Sequence, residues 1–374
     1  MHFLNRSELI EFVRERAGLL DLAGARNPFS RSSWILHFLE NVAEADWVFT
    51  VPESYADGHS FMLLYSDNPG FRHCTALTNY YASLYSPMIS SAGSRYSAMD
   101  QLVGQLMQAR SRCAVINLAP MDQEDSDSII LRAVFARRGW YTRKYFCFGN
   151  WYLPCAGLRF DEYMKQRPSQ TYNTWARKSK KYFKYEGARI QIATSLSDVQ
   201  LAIDAYQTIY AKSWKKPEPY PRFVEGWAKI CAKNGWLRLG IAWIDNVPVA
   251  AQFWFTVDQH AYIFKLAYDE DYANWSAGTL LTAHMIKHSL EEDHVIEIDY
   301  LTGDDEYKSA WMTHRRERIG LLACNLKDVY GVAMAAREFA GAFRNRWLIP
   351  AFQAVRLAAG AGKSFFRLRR SKRE

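Results

Sequence analysis

Residues 262–311 constrain the fold more than any other part of the chain, because a strand, a helix and a second strand follow one another there without a break. The segment reads YIFKLAYDEDYANWSAGTLLTAHMIKHSLEEDHVIEIDYLTGDDEYKSAW. Apolar runs at 262–268 and 295–300 predict the strands, and the stretch from Thr279 to about Glu291 predicts the helix. Strands that alternate with helices indicate an α/β layer. In an open α/β sheet, ligands collect at the carboxyl ends of strands, where both of these strands lead into polar turns.

The turn before the helix has the composition of an anion-binding site. The helix opens with the run Ser276-Ala277-Gly278-Thr279. Unpaired backbone N–H groups and the positive end of the helix dipole therefore face whatever lies in front of it. Gly278 would place no Cβ between the backbone and a bound phosphate. The alternative is an ordinary helix cap, because Ser and Thr commonly precede helices.

The second strand ends in a polar segment with several candidate catalytic groups. Asp299 and Tyr300 close the strand, and the turn Leu301-Thr302-Gly303 leads to Tyr307 and Lys308. Asp299 is expected to share the side of the apolar residues Ile296 and Ile298, where an unpaired carboxylate would have a raised pKa and suit a general base. A structural carboxylate paired with a Lys or Arg is an equally good interpretation. Tyr300 could donate a proton, or it could be an ordinary core tyrosine.

The order of these elements and the runs YDEDYANWSAGTLL and DYLTGDDEYKSAW resemble the GNAT acyltransferase superfamily. The similarity is greatest to its polysaccharide-biosynthesis (cellulose- and exopolysaccharide-associated) acetyltransferases, which are related to Fem-type peptidyltransferases. Upstream support comes from Ser213-Trp214-Lys215 and from the basic stretch 175–181. The resemblance covers roughly 172–326. This chain has Ser276-Ala277-Gly278 where many relatives have Ser-Pro-Gly.

The resemblance implies an acyl-CoA co-substrate, acetyl-CoA or another acyl-CoA. It implies that the 262–268 strand holds the pantetheine arm through its backbone and that residues 276–279 bind the pyrophosphate. Tyr300 would protonate the departing thiolate. Tyr307 and Lys308 match a recurrent Tyr-Lys pair in the family and would position the acceptor, so the implied catalytic set is Asp299, Tyr300, Tyr307 and Lys308.

Length and patterning predict an α/β fold of two domains followed by a basic C-terminal helical tail, and the resemblance implies that the domains are tandem GNAT-like mixed-sheet domains. The 374 residues exceed one ordinary core, and 49% hydrophobic residues indicate folded structure. The expected boundaries are 1–165 for a degenerate N-terminal domain, 166–330 for the catalytic domain and 331–374 for the tail. Further expected helices lie at 97–110, 126–138, 195–214 (capped by Ser195 or Ser197) and 223–234, and further strands at 46–51, 61–65, 114–118, 236–244 and 247–256.

Charge and cysteine usage point to a cytoplasmic protein with an unusual tail. The six cysteines form no CxxC pair, which fits a reducing compartment. The N-terminus lacks an apolar signal region, and no run reaches the ~20 apolar residues of a membrane span. Residues 331–374 carry ten Lys or Arg and two acids, which accounts for the whole net charge of +8. Aromatic and basic residues in 335–374 could lie peripherally on the anionic inner face of a membrane, although a helix packed on the body is the alternative.

Other ligands are not favoured. His284 and His288 have zincin spacing without the required glutamate, and the acidic run 304–306 lacks further oxygen ligands, so no metal is predicted. Basic residues at 177–184 could contact phosphate more readily than RNA, but a solvated helix face is the ordinary interpretation. Nucleic acid is not favoured as a partner.

The residues and the resemblance together predict an acyl-CoA-dependent acyltransferase that acts on an amine or hydroxyl. The resemblance alone implies that the acceptor is a sugar or similar precursor of cell-surface polysaccharide or envelope synthesis. One rival is a Fem-type transferase that uses aminoacyl-tRNA. Such proteins usually carry a long helical hairpin, for which the segment between Tyr210 and Trp236 is too short. The other rival is a non-catalytic GNAT-like assembly factor.

Overall fold

The computed structural model describes residues 1–25, 27–54, 59–67, 70, 72–89, 94–108, 113–213 and 215–343. The strands are β1 (His2–Leu4), β2 (Val48–Val51), β3 (Glu53–Ser54), β4 (Ser60–Phe61), β5 (Leu64–Ser66), β6 (His73–Ala76), β7 (Val115–Asp122), β8 (Trp140–Pro154), β9 (Ala188–Ala193), β10 (Leu237–Ile244), β11 (Val247–Val257), β12 (His260–Tyr268), β13 (Glu297–Asp299) and β14 (His314–Asn325).

The helices lie on both faces of the main sheet. They are α1 (Arg6–Glu15), α2 (Ala17–Ala23), α3 (Ser32–Asn41), α4 (Arg95–Leu106), α5 (Ser126–Arg137), α6 (Phe160–Lys165), α7 (Ser169–Lys184), α8 (Val199–Lys212), α9 (Pro221–Lys233), α10 (Ala277–Glu291), α11 (Glu306–Ser309) and α12 (Val329–Phe343), with 3₁₀ turns at Pro28–Ser30 and Glu270–Trp275.

One mixed sheet of twelve strands runs through the described part of the chain. Its order is β1-β2-β5-β6-β7-β14-β8-β13-β12-β11-β10-β9. Strand β14 pairs with β7 on one side and, over its whole length, with β8 on the other. The long strand β8 then continues the sheet to β13. The expected α/β fold is confirmed. The domain boundary at residue 165 stays a prediction. Strand β14 belongs by sequence to the expected second domain, but it pairs with β7 and β8 of the expected first domain.

Side chains alternate between the two faces along each strand, so the second half of the sheet packs against a different hydrophobic core on each face. Leu239 and Phe253 face a core built with α1, α3, α8 and α9. Ala242 and Trp254 face the opposite core, built with α6, α7 and α10. Because successive side chains of a strand point to opposite faces, α8 and α9 lie on one side of the sheet and α10 on the other.

The first half of the sheet is covered in the same way. Helices α4 and α5 enclose one core against β7 and β14. Helix α12 covers the other face through Ala335, and Arg143 of β8 forms an ion pair with Glu338. The expected tail therefore begins as a helix packed on the body, and residues 344–374, including most of its basic groups, lie outside the described residues. Among the helices that are described, none has the length and apolar character needed to cross a membrane.

Several expected elements are confirmed and others are corrected. The hairpin turn falls at Asp245 and Asn246, both with positive φ as a two-residue type I′ loop requires. The helix expected from residue 195 begins instead at Val199 with Asp198 as its N-cap, because the hydroxyl of Ser195 bonds the Asp198 side chain. The strand expected at 61–65 is divided into β4 and β5. Residues 57–58 and Trp214 lie outside the described residues.

Candidate functional site

A notch opens between β12 and β13, the two strands that the sequence singled out. They are parallel and pair only from His260 opposite Glu297 to Tyr262 opposite Asp299. Beyond that point the backbone N–H of Tyr300 donates to the carbonyl of Trp151 in β8, at 2.9 Å. The chain after β13 therefore stays with β8 and separates from β12. Within the described residues, the rest of β12 has no strand partner on this side.

A β-bulge lies in β12 where the notch opens. Opposite β11, Phe253 pairs with Lys265 but the next residue, Trp254, pairs with Ile263, so Phe264 is the extra residue. A bulge leaves backbone groups outside the ladder and turns them toward new partners. Such groups are the ones a sheet can offer to an extended ligand and to a developing oxyanion.

The cavity in the notch has a volume of about 290 Å³. One wall is Ile263–Leu266 of β12, and the other is formed by Tyr300, Leu301 and Thr302. Tyr307, Lys308, Asp305, Lys215, Tyr80 and Tyr81 complete the lining. The notch thus brings together three of the four residues expected to be catalytic, together with two tyrosines from the first half of the chain.

The helix after β12 begins at Ala277, two residues before the expected start. Ser276 adopts a left-handed backbone with φ 55° and makes no side-chain cap, so the ordinary capping role does not apply to it. A 3₁₀ turn at Glu270–Trp275 separates β12 from the helix, so the connection is longer than a simple turn. A Cβ on Gly278 would meet the Tyr268 ring at 3.7 Å, an ordinary contact. Packing of the chain itself therefore does not require glycine at this position.

The basic helix α7 lies beside this helix start. Lys178 donates to the backbone carbonyl of Asn274, and the ammonium of Lys181 lies 4.4 Å from the centre of the Trp275 ring. Two cations thus stand next to the positive end of α10. Positive charge from both sources favours an anion at the same place.

Asp299 lies in a buried polar network outside the cavity lining. Its Oδ1 accepts from the side chain of Asn150 and from the backbone N–H of Leu301, both at 2.6 Å. Its Oδ2 accepts from Arg316 at 2.5 Å. The expectation that Asp299 shares the side of Ile298 is wrong, because consecutive strand residues face opposite ways. Asp299 instead shares the side of Glu297, and Arg316 binds both carboxylates.

This network holds the wall of the notch. Asn150 donates to the carbonyl of Leu301, so Asp299 and Asn150 together fix both backbone groups of Leu301. Leu301 needs such support because its φ is 54°, a left-handed conformation that is costly for a residue with a Cβ. Of the two roles considered for Asp299, the contacts favour the structural one.

Tyr300, Tyr307 and Lys308 meet at the notch. Tyr300 is buried, its ring makes an edge contact with Tyr307, and burial raises its pKa far above the usual range. Burial raises the pKa of Tyr307 to about 12. Both phenols are therefore protonated at neutral pH and can donate but not accept a proton. The buried ammonium of Lys308 donates to the carbonyls of Thr302 and Gly303, so it fixes the turn after β13.

A cluster around Glu218 joins the two halves of the molecule at the notch. Tyr80 and Tyr81 donate to one carboxylate oxygen of Glu218 at 3.0 and 2.7 Å. Tyr210 and Lys265 donate to the other at 3.0 and 2.6 Å. Burial raises the pKa of Glu218, but these hydrogen bonds, above all that of Lys265, outweigh burial and hold it below its usual value.

Lys215 lies at the same junction and lines two cavities, the notch and a second one described below. Burial, assisted by the positive charge of Lys265, lowers the pKa of Lys215 to about 8. An appreciable fraction of this amine is therefore neutral near physiological pH. It is the group of the described site whose charge changes most readily in that range.

Glu218, Lys265, Tyr80 and Tyr81 belong to the site but were not among the residues expected from the sequence. The segment KKPEPYPRF around Glu218 has prolines at 217, 219 and 221, and such a stiff loop after a helix is the one local signal that could have drawn attention to it. Tyr80 and Tyr81 are distant in sequence, and nothing near them indicates the contact. The described residues contain no group of three side chains suited to hold a metal ion.

The fold and the parallel strands that separate at the notch define an α/β protein with a GNAT fold. Residues 169–309, from the start of α7 to the end of α11, match the family described as an acetyltransferase (GNAT) domain. No curated protein sequence gives a significant match.

Similar solved structures cover nearly the whole chain at low sequence identity. The crystal structure of FemX is 10% identical with a TM-score of 0.57, over 87% of this chain and 98% of that one. The C-terminal domain of a putative lysylphosphatidylglycerol synthetase from Agrobacterium fabrum is 12% identical with a TM-score of 0.52, over 88% and 96%. L-PGS from Bacillus licheniformis is 10% identical with a TM-score of 0.50, over 87% and 94%. At these identities the likeness concerns the fold alone.

Proposed function

We propose that this protein transfers an acyl group from a CoA thioester to an amine or hydroxyl of a small precursor. The observation that carries the proposal is the notch between β12 and β13, with a bulge on one wall and the start of α10 close to its open end. The GNAT domain match over 169–309 supports the same class of reaction.

The donor would bind along β12. The N–H groups of the run Ser276-Ala277-Gly278-Thr279 would receive the pyrophosphate, with Lys178 and Lys181 adding positive charge nearby. The pantetheine arm would lie against the unpaired edge of β12, and the bulge at Phe264 would present a backbone donor to the thioester oxygen.

The transfer needs one proton removed and one supplied. The acceptor nitrogen or oxygen attacks the thioester carbon, the new C–N or C–O bond forms, and the C–S bond breaks with the electron pair going to sulfur. Lys215, with its lowered pKa, would take the proton of the acceptor. Tyr300, protonated at neutral pH, would give its phenolic proton to the thiolate, and the proton taken up by Lys215 would restore the phenol. Tyr307 would position the acceptor at the notch, where it is 48% exposed.

Asp299 and Lys308 would act through the backbone that they hold. Asp299 fixes Leu301, and Lys308 fixes the turn at Gly303, so each sets the shape of one wall of the notch. We assign both to positioning.

The acceptor class and the setting rest on the sequence resemblance. A sugar or similar precursor of cell-surface polysaccharide or envelope synthesis is the proposed acceptor. We place the enzyme in the cytoplasm, with residues 335–374 reaching the inner face of the membrane. The exposed side chains of Val332, just before this segment, and of Phe339, within it, support an apolar contact there.

A Fem-type transfer from aminoacyl-tRNA is the second candidate. The similarity of the fold to FemX over 98% of that chain supports this candidate. The basic helix α7 beside α10 would also suit the phosphates of an RNA end as well as those of CoA. Among the described residues between α8 and β10, the 13-residue helix α9 stands where a long hairpin would be.

Calorimetric titration with acetyl-CoA tests the donor site. We expect saturable binding that weakens more than tenfold in Gly278→Glu, because a carboxylate would repel the phosphates. Gly278→Gln has the same size without the charge and should lose less. A folded Gly278→Glu protein with unchanged affinity would remove residues 276–279 from the site. Transfer only with aminoacyl-tRNA would favour the second candidate, and the absence of both would favour an assembly factor.

A further inference from the structure

A second cavity, larger than the notch, lies between α8, α9 and the sheet. Its volume is about 560 Å³. Most of its lining is apolar: Ile203, Val224, Ala228, Leu239, Phe253 and Pro221. Glu218 and Tyr210 of the lining belong to the cluster at the notch, and Lys215 lies at the same junction. The other polar residues of the lining are Tyr206, Gln207 and Glu225. The cavity has the size and apolar character of a ligand pocket.

The cavity and the notch adjoin each other. Lys215 lines both, and Glu218 of the cavity binds Lys265 of the notch at 2.6 Å. The cavity lies on the face of the sheet that carries α8 and α9, and the start of α10 lies on the opposite face. A donor with its phosphates at α10 would therefore reach through the notch with its thioester end toward this cavity.

We propose that the α8–α9 cavity receives the acyl chain of the donor, and that the preferred donor is a long-chain acyl thioester. This inference rests on the proposed function. The chain is attached to the thioester carbon, so it must leave the notch where the thioester ends. A volume of about 560 Å³ is roughly sixfold larger than an acetyl group needs, taking about 30 Å³, the share of one water in the liquid, for each of its three heavy atoms. An acceptor would find polar partners in this lining, such as Gln207 and Glu225, but the eight apolar side chains favour a hydrocarbon chain over a polar precursor.

Tyr206 gives a second sign that the cavity is incomplete without a ligand. Its side chain lines the cavity and is 5% exposed, and its hydroxyl has no hydrogen-bond partner among the described residues. A buried polar group in that state is unusual in a finished core. A chain with a polar substituent at this depth would pair with it.

The test is a series of calorimetric titrations of the full chain with saturated acyl-CoAs from acetyl to dodecanoyl, below their micelle concentrations. Affinity should rise about threefold per added methylene over the first members, somewhat less than full transfer to an apolar phase would give. Ala228→Phe fills part of the cavity, because Ala228 is buried in its lining. That variant should bind acetyl-CoA normally and dodecanoyl-CoA at least tenfold more weakly than the unmodified protein.

Ala133→Phe is the matched control, since Ala133 lies exposed on α5, away from the cavity, and should leave the series unchanged. If Ala228→Phe does not fold, Val224→Phe tests the same lining. Equal affinity from acetyl to dodecanoyl would overturn the acyl pocket and leave the proposed function standing. If a folded cavity variant shows the same dependence of affinity on acyl-chain length as the unmodified protein, the acyl pocket is overturned as well. The cavity would then be assigned to the acceptor. Failure to bind any CoA compound would overturn the proposed donor itself.

Discussion

Asp299→Asn separates the structural role of this carboxylate from a catalytic one. Asparagine keeps the size of the side chain and can still accept from the N–H of Leu301, but it removes the negative charge opposite Arg316. Removing one partner of a buried ion pair typically costs about 3–5 kcal/mol, because the other charge remains buried and uncompensated. Glu297 remains as a second partner of Arg316 at 2.7 Å, so the lower end of that range applies. We expect the free energy of unfolding to fall by about 3 kcal/mol.

The assay measures stability and turnover in the same variant. Urea unfolding followed by tryptophan fluorescence gives the free energy, and release of the CoA thiol in the presence of a panel of amines gives the rate. Loss of a general base would reduce turnover ~100- to 10,000-fold without a comparable loss of stability. For a residue that only supports Leu301, we expect turnover of the folded variant to stay within about tenfold of the unmodified protein.

Asp304→Asn is the matched control. It makes the same chemical change in an exposed pair, in which the carboxylate of Asp304 lies 2.6 Å from Arg315 and is 43% exposed. Exposed pairs contribute about 0–1 kcal/mol, so this variant should be nearly as stable as the unmodified protein. An Asp299→Asn protein that matches the control in stability but has lost turnover would refute the structural role and restore the general base.

Three further results are expected. The pH profile of kcat/KM should rise through about pH 8 as Lys215 loses its proton. Lys215→Arg should abolish this rising limb. The control variant Lys229→Arg, at an exposed site on α9, should keep it. In Glu218→Gln the limb should move to lower pH, because the negative charge of Glu218 raises the pKa of Lys215; a limb that stays in place would contradict this coupling. The membrane contact is tested with a chain that ends at Phe343 and therefore retains the packed helix α12. This shorter chain should cosediment with anionic vesicles less than the full chain, with neutral vesicles as the control. Equal cosedimentation of the two chains would exclude residues 344–374 from membrane binding.

Strong local patterns were enough to place the elements of the proposed donor site. The apolar strand 260–268, the helix that ends at Glu291 and the turn at Gly303 all follow from short-range periodicity and turn residues. The hairpin at Asp245 follows from its turn chemistry. By contrast, the strands β8, β9 and β14 were not anticipated. Strands β8 and β14 carry many charged and polar residues, and their pairing depends on partners far along the chain.

The sequence by itself determined the α/β class, the order of strand, turn, helix and strand, and the residues 276–279 and 299–308 as candidates, because each depends on neighbours within a few turns of chain. Only the tertiary structure decided what those residues touch. Asp299 faces Arg316 because the pairing of β13 with β8 and the alternation of side chains along the strand place it on the side of Glu297. Glu218 meets Tyr81 across 137 positions of sequence, a contact that no local pattern encodes and that the packing of the two halves of the sheet alone creates.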